Sequence, residues 1–346
     1  MATINKEYKT INERIGILQS RGLLFKNINK AKEILLEHPY FDIINANEKL
    51  FCKPNTSSKE YFSHIFFEDL YGVYSFNNEL SKLTMNSLLS AESKLKNSLA
   101  YRFSGRYCYN ISRTEEYLNP NNYIQPTQRA LYYKFSDFTP FTDNDYVQKL
   151  KRQNNYMAAY DKLPFWIALK GIVLGTTILF IQFLDPITKN EVKKDLKMDK
   201  FSDDGFEFGI YILKEIRNSC AHGAMIYRFS KSHRISTVNV QAGINEFHLS
   251  QSAINYMDTL KVLSFFSTDR EIRAIKMSIF KFYLKYTVRG KRWMAKKILG
   301  KMGNHHVGVV AGSPDGKPQP GLQKNPQQHG DEDHSDPRHH QLLLPA

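Results

Sequence analysis

Cysteine is scarce in this 346-residue chain, which contains only Cys52, Cys108 and Cys220. They form no C-x-x-C pair and no even set, which argues against a disulfide scaffold and against a cysteine zinc site. We therefore expect a reducing, cytoplasmic environment. Residues 1–9 are polar and lack the apolar segment of a secretion signal, so no export is expected.

Long apolar runs are also scarce, but one run has about the length of a transmembrane helix. Residues 165–184 read FWIALKGIVLGTTILFIQFL, close to the length that crosses a bilayer. The run contains Lys170, Gln182 and two glycines, and a buried helix of an all-α core has the same pattern. We expect a core helix and no stable membrane insertion, with a membrane-associated protein as a less favoured alternative.

Acidic residues are outnumbered, because 48 Lys and Arg face 34 Asp and Glu, giving a formal charge of +14. The excess is strongest over residues 272–302, which contain no acidic residue and these ten basic ones: Arg273, Lys276, Lys281, Lys285, Arg289, Lys291, Arg292, Lys296, Lys297 and Lys301. Such a segment predicts salt-sensitive RNA binding through phosphates. A basic amphipathic helix lying on an anionic membrane is the alternative interpretation.

Apolar spacing predicts an all-α fold. Helices are expected from residue 11, over 28–36, over 66–103 as one long helix, over 164–184, over 205–222 and through 249–302. Residues 104–161, rich in Asn, Tyr, Pro and Thr, predict an irregular insertion, and residues 235–240 predict a strand or extended loop. Residues 1–303 are interpreted as the folded domain, whereas the Pro-, Gly- and His-rich residues 304–346 are predicted to be a disordered tail.

The segment 215–223, EIRNSCAHG, presents an R-x4-H pair, Arg217 and His222, at the end of a predicted amphipathic helix. Asn218 lies one turn before His222 on the same face, and Gly223 suits a left-handed helix terminus. Histidine titrates near neutral pH and arginine binds phosphate through a fork of donors, which suits metal-free RNA cleavage. The pair could equally cap a helix. A second pair, Arg228 and His233, lies in a polar stretch without such support.

IRNSCAHG resembles the R-N-x-x-x-H motif of the HEPN ribonucleases, in the form found in the AbiD/AbiF abortive-infection branch. Three other segments agree with that branch in order and spacing: TINERIGILQSRGLLF near the N-terminus, PFWIALKGIVLGT in the middle and KILGKMG near residue 300. The resemblance covers residues 9–303 and is closest to AbiF. The relatives' Phe-Asp-x-x-Leu-Arg pattern is replaced here by FNNELS at residues 76–81, so a site role for those two positions is in doubt.

The resemblance implies an all-α, HEPN-like helical bundle that forms a homodimer through the catalytic helix. Arg217, Asn218 and His222 would then line a shared cleft, with Glu92 and Lys96 as possible supporting residues. It also implies a cytoplasmic endoribonuclease toxin of anti-phage defence that needs no metal or cofactor, attacks through the 2′-hydroxyl and leaves a cyclic phosphate. Its RNA partners would be the substrate and an inhibitory structured non-coding RNA. A non-catalytic RNA-binding HEPN module remains the main alternative.

Overall fold

The computed structural model of the protein describes residues 7–54, 59–125, 135–232, 238–250 and 253–303. The chain divides into two units, Met1–Ala311 and Gly312–Ala346. The second unit, and with it the predicted disordered tail over residues 304–346, lies outside the described residues.

Helices dominate the described residues, so the predicted all-α fold is confirmed. These residues form fourteen α-helices: α1 Ile11–Ser20, α2 Ile28–Glu37, α3 Glu48–Phe51, α4 Phe67–Tyr107, α5 Thr139–Thr142, α6 Tyr146–Gln153, α7 Phe165–Gly171, α8 Leu174–Gln182, α9 Pro186–Asp195, α10 Asp203–Ala221, α11 Val238–Glu246, α12 Tyr256–Phe266, α13 Asp269–Val288 and α14 Arg292–Lys301. Two short strands, β1 Ser230–Ser232 and β2 Ala253–Asn255, pair antiparallel with Lys231 opposite Ile254.

Short helical turns occupy much of the connecting sequence. One π-helical turn spans Phe41–Asn45, and 3₁₀ turns span Ile111–Arg113, Glu116–Leu118, Pro120–Asn122, Phe135–Asp137, Asn155–Ala159 and Ile226–Arg228. Most of them fall between α4 and α7, where Asn and Pro compete with continuous helix formation. The irregular insertion predicted over residues 104–161 is thus observed in its described part.

Helix α4 is the central element of the fold. Its 41 residues make it about 60 Å long at a rise of 1.5 Å per residue. Its start is stabilised by Asp69, whose carboxylate accepts a hydrogen bond from the Phe66 backbone N–H at 2.9 Å. Helices α7, α9, α10, α12 and α13 all pack against it. The long helix predicted over residues 66–103 is confirmed and extends one turn further.

The apolar run of residues 165–184 forms two helices, so the single helix predicted over 164–184 is wrong. Helix α7 ends at Gly171 and α8 begins at Leu174, with Ile172 and Val173 extended between them. A β-carbon at position 171 would lie 2.8 Å from the side-chain amide nitrogen of Asn154, so a larger residue here would require that side chain to shift. Three of the seven residues of α7 and seven of the nine residues of α8 are buried, and no helix among the described residues has the length and apolar character of a bilayer span.

Two other expectations are corrected by the structure. The strand or loop predicted over 235–240 is wrong for its last three residues, because α11 begins at Val238; residues 233–237 lie outside the described residues. The helical stretch predicted over 249–302 begins instead with β2 and continues as α12, α13 and α14. Capping explains the divisions, because Asn255 and Thr268 each accept a hydrogen bond from the third helical residue and so start a new helix.

Helix α10 carries the candidate catalytic residues and is observed close to its predicted bounds. Its first turn is capped by Ser202, whose hydroxyl accepts a hydrogen bond from the Gly205 backbone N–H at 3.0 Å. The predicted apolar stripe is buried and packs against α4, α8, α11 and α12: Ile210, Leu213, Ile216 and Cys220. This packing determines which direction the end of α10 faces.

Candidate active site

The C-terminal end of α10 has the geometry of a Schellman motif. His222 is the C-cap residue, and Gly223 adopts a left-handed conformation with φ of +66°. The Gly223 N–H donates to the Cys220 carbonyl at 3.2 Å, and the Ala224 N–H donates to the Ser219 carbonyl at 3.0 Å. The predicted left-handed glycine is confirmed, and the motif places His222 at the very end of the helix.

His222 and Asn218 lie one turn apart at this end. The backbone N–H of His222 donates to the Asn218 carbonyl at 3.0 Å, so the backbone around the ring is held in place. His222 is exposed and Asn218 is half-buried. Within the described part of the chain, neither side chain forms a hydrogen bond or ion pair. The imidazole is therefore available to a ligand in solution.

Arg217 is half-buried, and its Nε atom is buried without a hydrogen-bond partner. Its guanidinium forms no ion pair with any described residue. The nearest acidic residue in sequence, Glu215, is already bound by Lys231 of β1 and lies 3.4 Å from the ammonium of Lys214. A buried donor without an acceptor is costly, and a bound ligand is one of the ways in which such a donor is satisfied.

The cysteine within the motif is unsuited to nucleophilic chemistry. Cys220 is buried between α10 and α4, and its burial raises the pKa of its thiol, an effect only partly offset by a hydrogen bond with Ser81. The thiol therefore stays protonated near neutral pH, whereas nucleophilic cysteines need a lowered pKa. Within the motif, Arg217 and His222 remain the candidate catalytic residues.

Asn77 on α4 holds the segment that follows the helix end. Its side chain is 2% exposed; the amide nitrogen donates to the Ala224 carbonyl at 3.2 Å, and the amide oxygen accepts from the Tyr227 N–H at 3.5 Å. The hydroxyl of Tyr227 donates in turn to Asn47 at 2.8 Å. Asn77 and Ser81 are the two positions that depart from the relatives' pattern, so sequence comparison alone leaves their role open. In the structure, both residues contact the C-terminal end of α10 or the segment that follows it.

Glu92 and Lys96 form an ion pair with an oxygen-to-nitrogen distance of 2.7 Å, and both side chains are largely buried. The Lys96 ammonium also donates to the Ile172 carbonyl at 2.6 Å, at the break between α7 and α8. Glu92 lies eleven residues beyond Ser81, or about 16 Å along α4. Within one chain, this pair therefore lies at the break between α7 and α8, and not at the height along α4 where Cys220 packs.

The ten basic residues of 272–302 fall into different environments. Lys291 forms an ion pair with the largely buried Asp69 and donates to the His64 carbonyl at 3.0 Å, so it is part of the fold. Lys296 is half-buried and also has an interaction partner. The other eight are exposed at the surface of α13 and α14: Arg273, Lys276, Lys281, Lys285, Arg289, Arg292, Lys297 and Lys301.

Several of these exposed cations are held by local contacts. The Lys297 ammonium donates to the Leu50 carbonyl at 3.0 Å, and burial lowers the pKa of this lysine, as does repulsion from Lys301. Arg292 donates to the Tyr283 hydroxyl at 2.6 Å. Of the interleaved rings, Tyr286 and Phe282 are core residues, whereas Phe280 is 56% exposed. Among the described residues, no group of three or more His, Cys, Asp or Glu side chains could hold a metal ion.

The fold and site define an all-α protein that has, at the end of one helix, an exposed histidine and an arginine whose buried Nε has no acceptor among the described residues. Two other helices, α13 and α14, carry a basic surface. A family model described as Abi-like protein matches residues 33–228. This match covers more than half of the chain and includes both α4 and α10, so the chain belongs to the Abi-like family of abortive-infection proteins. Comparisons with curated proteins and with solved structures gave no match.

Proposed function

We propose that this chain is a metal-independent endoribonuclease toxin of the HEPN type, closest to AbiF, that acts in the cytoplasm in anti-phage abortive infection. One observation carries the proposal. At the end of α10, Arg217 has a buried Nε without an acceptor, and His222 is exposed without a partner among the described residues. The membership of the Abi-like family supplies the biological setting.

In the proposed reaction, the imidazole of His222 accepts the proton of a ribose 2′-hydroxyl. The 2′-oxygen then attacks the adjacent phosphorus, and the bond from phosphorus to the 5′-oxygen breaks as the new bond forms. A second His222, supplied by a second copy of the chain, donates a proton to the departing 5′-oxygen. The products are a 2′,3′-cyclic phosphate and a 5′-hydroxyl, with no change of oxidation state.

Arg217 is proposed to bind the non-bridging phosphate oxygens, on which negative charge increases in the transition state. Asn218 is proposed to orient the imidazole or the phosphate. Because general acid and general base are both required, we propose a homodimer in which two α10 helices present their ends to one cleft. Glu92 and Lys96 are proposed to support this cleft only indirectly, by holding the α7–α8 break.

The RNA partner is proposed to bind along the exposed cations of α13 and α14. Each phosphate contact releases a condensed counterion, so the affinity should decrease steeply with salt. A structured non-coding RNA bound there would restrain the toxin. These cations would serve binding even without catalysis, which is the observation that favours the second candidate, a non-catalytic RNA-binding module.

The decisive test is a comparison of His222→Ala with His248→Ala, since both histidines are exposed. The His222 variant should fold normally and lose RNA cleavage and growth arrest, whereas the His248 variant should retain both. Cleavage products should carry a cyclic phosphate, and a 2′-deoxy nucleotide at the cut position should block the reaction. A well-folded His222→Ala protein that cuts RNA at the original rate would contradict the catalytic assignment; wild-type protein that binds RNA but never cuts it would establish the second candidate.

A further inference from the structure

Helix α13 exposes apolar side chains on the side that faces away from the protein. Four of them are largely uncovered: Met277 at 51%, Phe280 at 56%, Leu284 at 48% and Val288 at 79%. Single exposed apolar residues are common on protein surfaces, but a continuous row on one helix face is not. We call these four residues the α13 ridge.

The α13 ridge lies directly opposite the buried face of the helix. At about 100° per residue, its four side chains fall within an arc of about 80°. The buried residues Ile275, Ile279, Phe282 and Tyr286 occupy the other side. The ridge is therefore the most outward part of α13 and spans about 16 Å along its axis. A ridge fits a flat or yielding surface better than it fits a rigid pocket.

Cations flank the ridge on both sides of the helix. Lys276 lies along one edge, Lys281 and Lys285 lie along the other, and Arg273 continues the line of the ridge one turn before Met277. All four are exposed, and none forms an ion pair with a described residue. No acidic residue occurs between residues 272 and 302. The surface thus combines an apolar centre with positive charge on each side, and its occupant has to be both apolar and anionic.

Three of the possible occupants fit this surface less well. A second copy of the same face would place the flanking cations of both chains against each other, which is unfavourable. RNA would find one ring, Phe280, but no stacking surface on Met277, Leu284 or Val288. A partner protein would need about 800 Å² on this side for a stable interface, and the ridge exposes only roughly 400 Å².

We propose that the outward face of α13 docks on the surface of a bilayer that contains anionic lipids. The ridge side chains enter the boundary between headgroups and acyl chains, and the flanking Lys and Arg side chains reach up to the lipid phosphates. Each such cation adds electrostatic attraction to an anionic leaflet. This is attachment in the plane of the membrane, not a span. It is independent of the catalytic proposal, but it uses α13 cations that the proposed RNA interface also uses, so lipid and RNA compete for them.

Vesicle flotation of the full-length protein tests the proposal, after nuclease treatment has removed bound RNA. Vesicles of phosphatidylcholine with one quarter phosphatidylglycerol are compared with vesicles of phosphatidylcholine alone. The test variant is Phe280→Glu with Leu284→Glu. The matched control is Leu36→Glu with Leu89→Glu, which makes the same charge change at leucines that are 74% and 51% exposed on α2 and α4.

We expect the wild type to float with the anionic vesicles, to float less in high salt and to stay unbound with phosphatidylcholine alone. The ridge variant should lose at least ~10-fold in partitioning, because two apolar anchors are removed and two repulsive charges are added. The control should keep wild-type partitioning. The kcat of RNA cleavage, measured at saturating RNA, should be unchanged in the ridge variant, because none of the proposed catalytic residues is altered. A failure of docking and a failure of the catalytic proposal are therefore distinguishable.

Several outcomes would overturn the docking proposal. The wild type could fail to float with anionic vesicles, or the control variant could lose binding as strongly as the ridge variant. If the ridge variant changed the sedimentation of the protein without changing flotation, the face would belong to a second copy. If it weakened RNA affinity and left flotation intact, the face would belong to RNA.

Discussion

Replacing Arg217 with methionine tests whether this arginine binds a ligand or stabilises the fold. Methionine retains most of the aliphatic packing and removes the guanidinium. The Nε of Arg217 is buried without an acceptor, and an unsatisfied buried donor costs about 1–3 kcal/mol. The variant should therefore be as stable as the wild type or more stable by about 1 kcal/mol, which corresponds to a rise in Tm of about 1–2 °C for a domain of this size.

Cleavage should respond in the opposite direction. Loss of a preorganised donor to a charged transition state lowers kcat by about 100- to 1000-fold in well-studied enzymes. The assay is single-turnover cleavage of a fluorescent RNA, with thermal and urea unfolding of the same samples. The expected combination is unchanged or higher stability with severely reduced cleavage.

Arg228 provides the matched control, because its Nε is also buried without a partner and it belongs to the other R-x4-H pair. Its guanidinium lies over the Tyr227 ring, 5.1 Å from the centroid. Arg228→Met removes this contact but also removes an unsatisfied buried donor, so its stability should change by less than about 1 kcal/mol while cleavage stays near normal. If Arg217→Met were destabilised by more than about 1 kcal/mol and still cut RNA normally, Arg217 would be a structural residue and the reasoning would be refuted.

Three other perturbations follow from the contacts described. Asn77→Ala should lower stability by roughly 1–3 kcal/mol and also reduce cleavage. Its control, Ser87→Ala, loses a buried hydrogen bond elsewhere on α4 and should affect stability alone. Urea unfolding and cleavage rates compare the two variants, and an equal loss of cleavage in both would contradict a positioning role for Asn77. Hydrogen bonds from Arg102 lower the pKa of Asp195. This carboxylate therefore stabilises the fold above its unfolded pKa of about 3.9, and the effect is lost as the pH falls through its folded pKa. In urea titrations, Asp195→Asn should be less stable at pH 7, and its free energy of unfolding should decrease less steeply below about pH 4. Burial raises the pKa of Glu207 despite its ion pair with Lys189. Lys189→Met leaves this buried carboxylate without its partner and should lower the free energy of unfolding by roughly 3–5 kcal/mol at pH 7, and by less in acid, where Glu207 is protonated. A loss of stability that does not depend on pH would contradict this explanation.

Much of the local structure follows from the sequence by short-range rules. The apolar spacing of α4 and α10 and the left-handed Gly223 depend on residues within about one helical turn, so the sequence predicts them well. The apolar run of residues 165–184 shows the limit of such rules. Its hydropathy favours one continuous helix, but the approach of Asn154 at Gly171 and the bond from Lys96 to Ile172 divide it.

The surroundings of the candidate site are long-range features. Asn77 contacts Ala224 across a sequence separation of 147 residues, and Lys291 pairs with Asp69 across 222. No pattern within a few residues distinguishes Lys291, which is part of the fold, from Lys281, which is exposed. The sequence therefore predicts the charge of the basic segment, but it does not predict which of the cations are exposed.

The sequence by itself determined the helical character of the protein, the end of α10 with His222 in its cap, and the position of the charge excess. These depend on backbone conformation, capping and composition, which act between near neighbours in the chain. Only the tertiary structure decided that Arg217 is left without an acceptor, that Asn77 holds the segment after His222, and that α13 turns an apolar row outward. Those outcomes depend on which surfaces pack together, and packing is set by the whole chain at once.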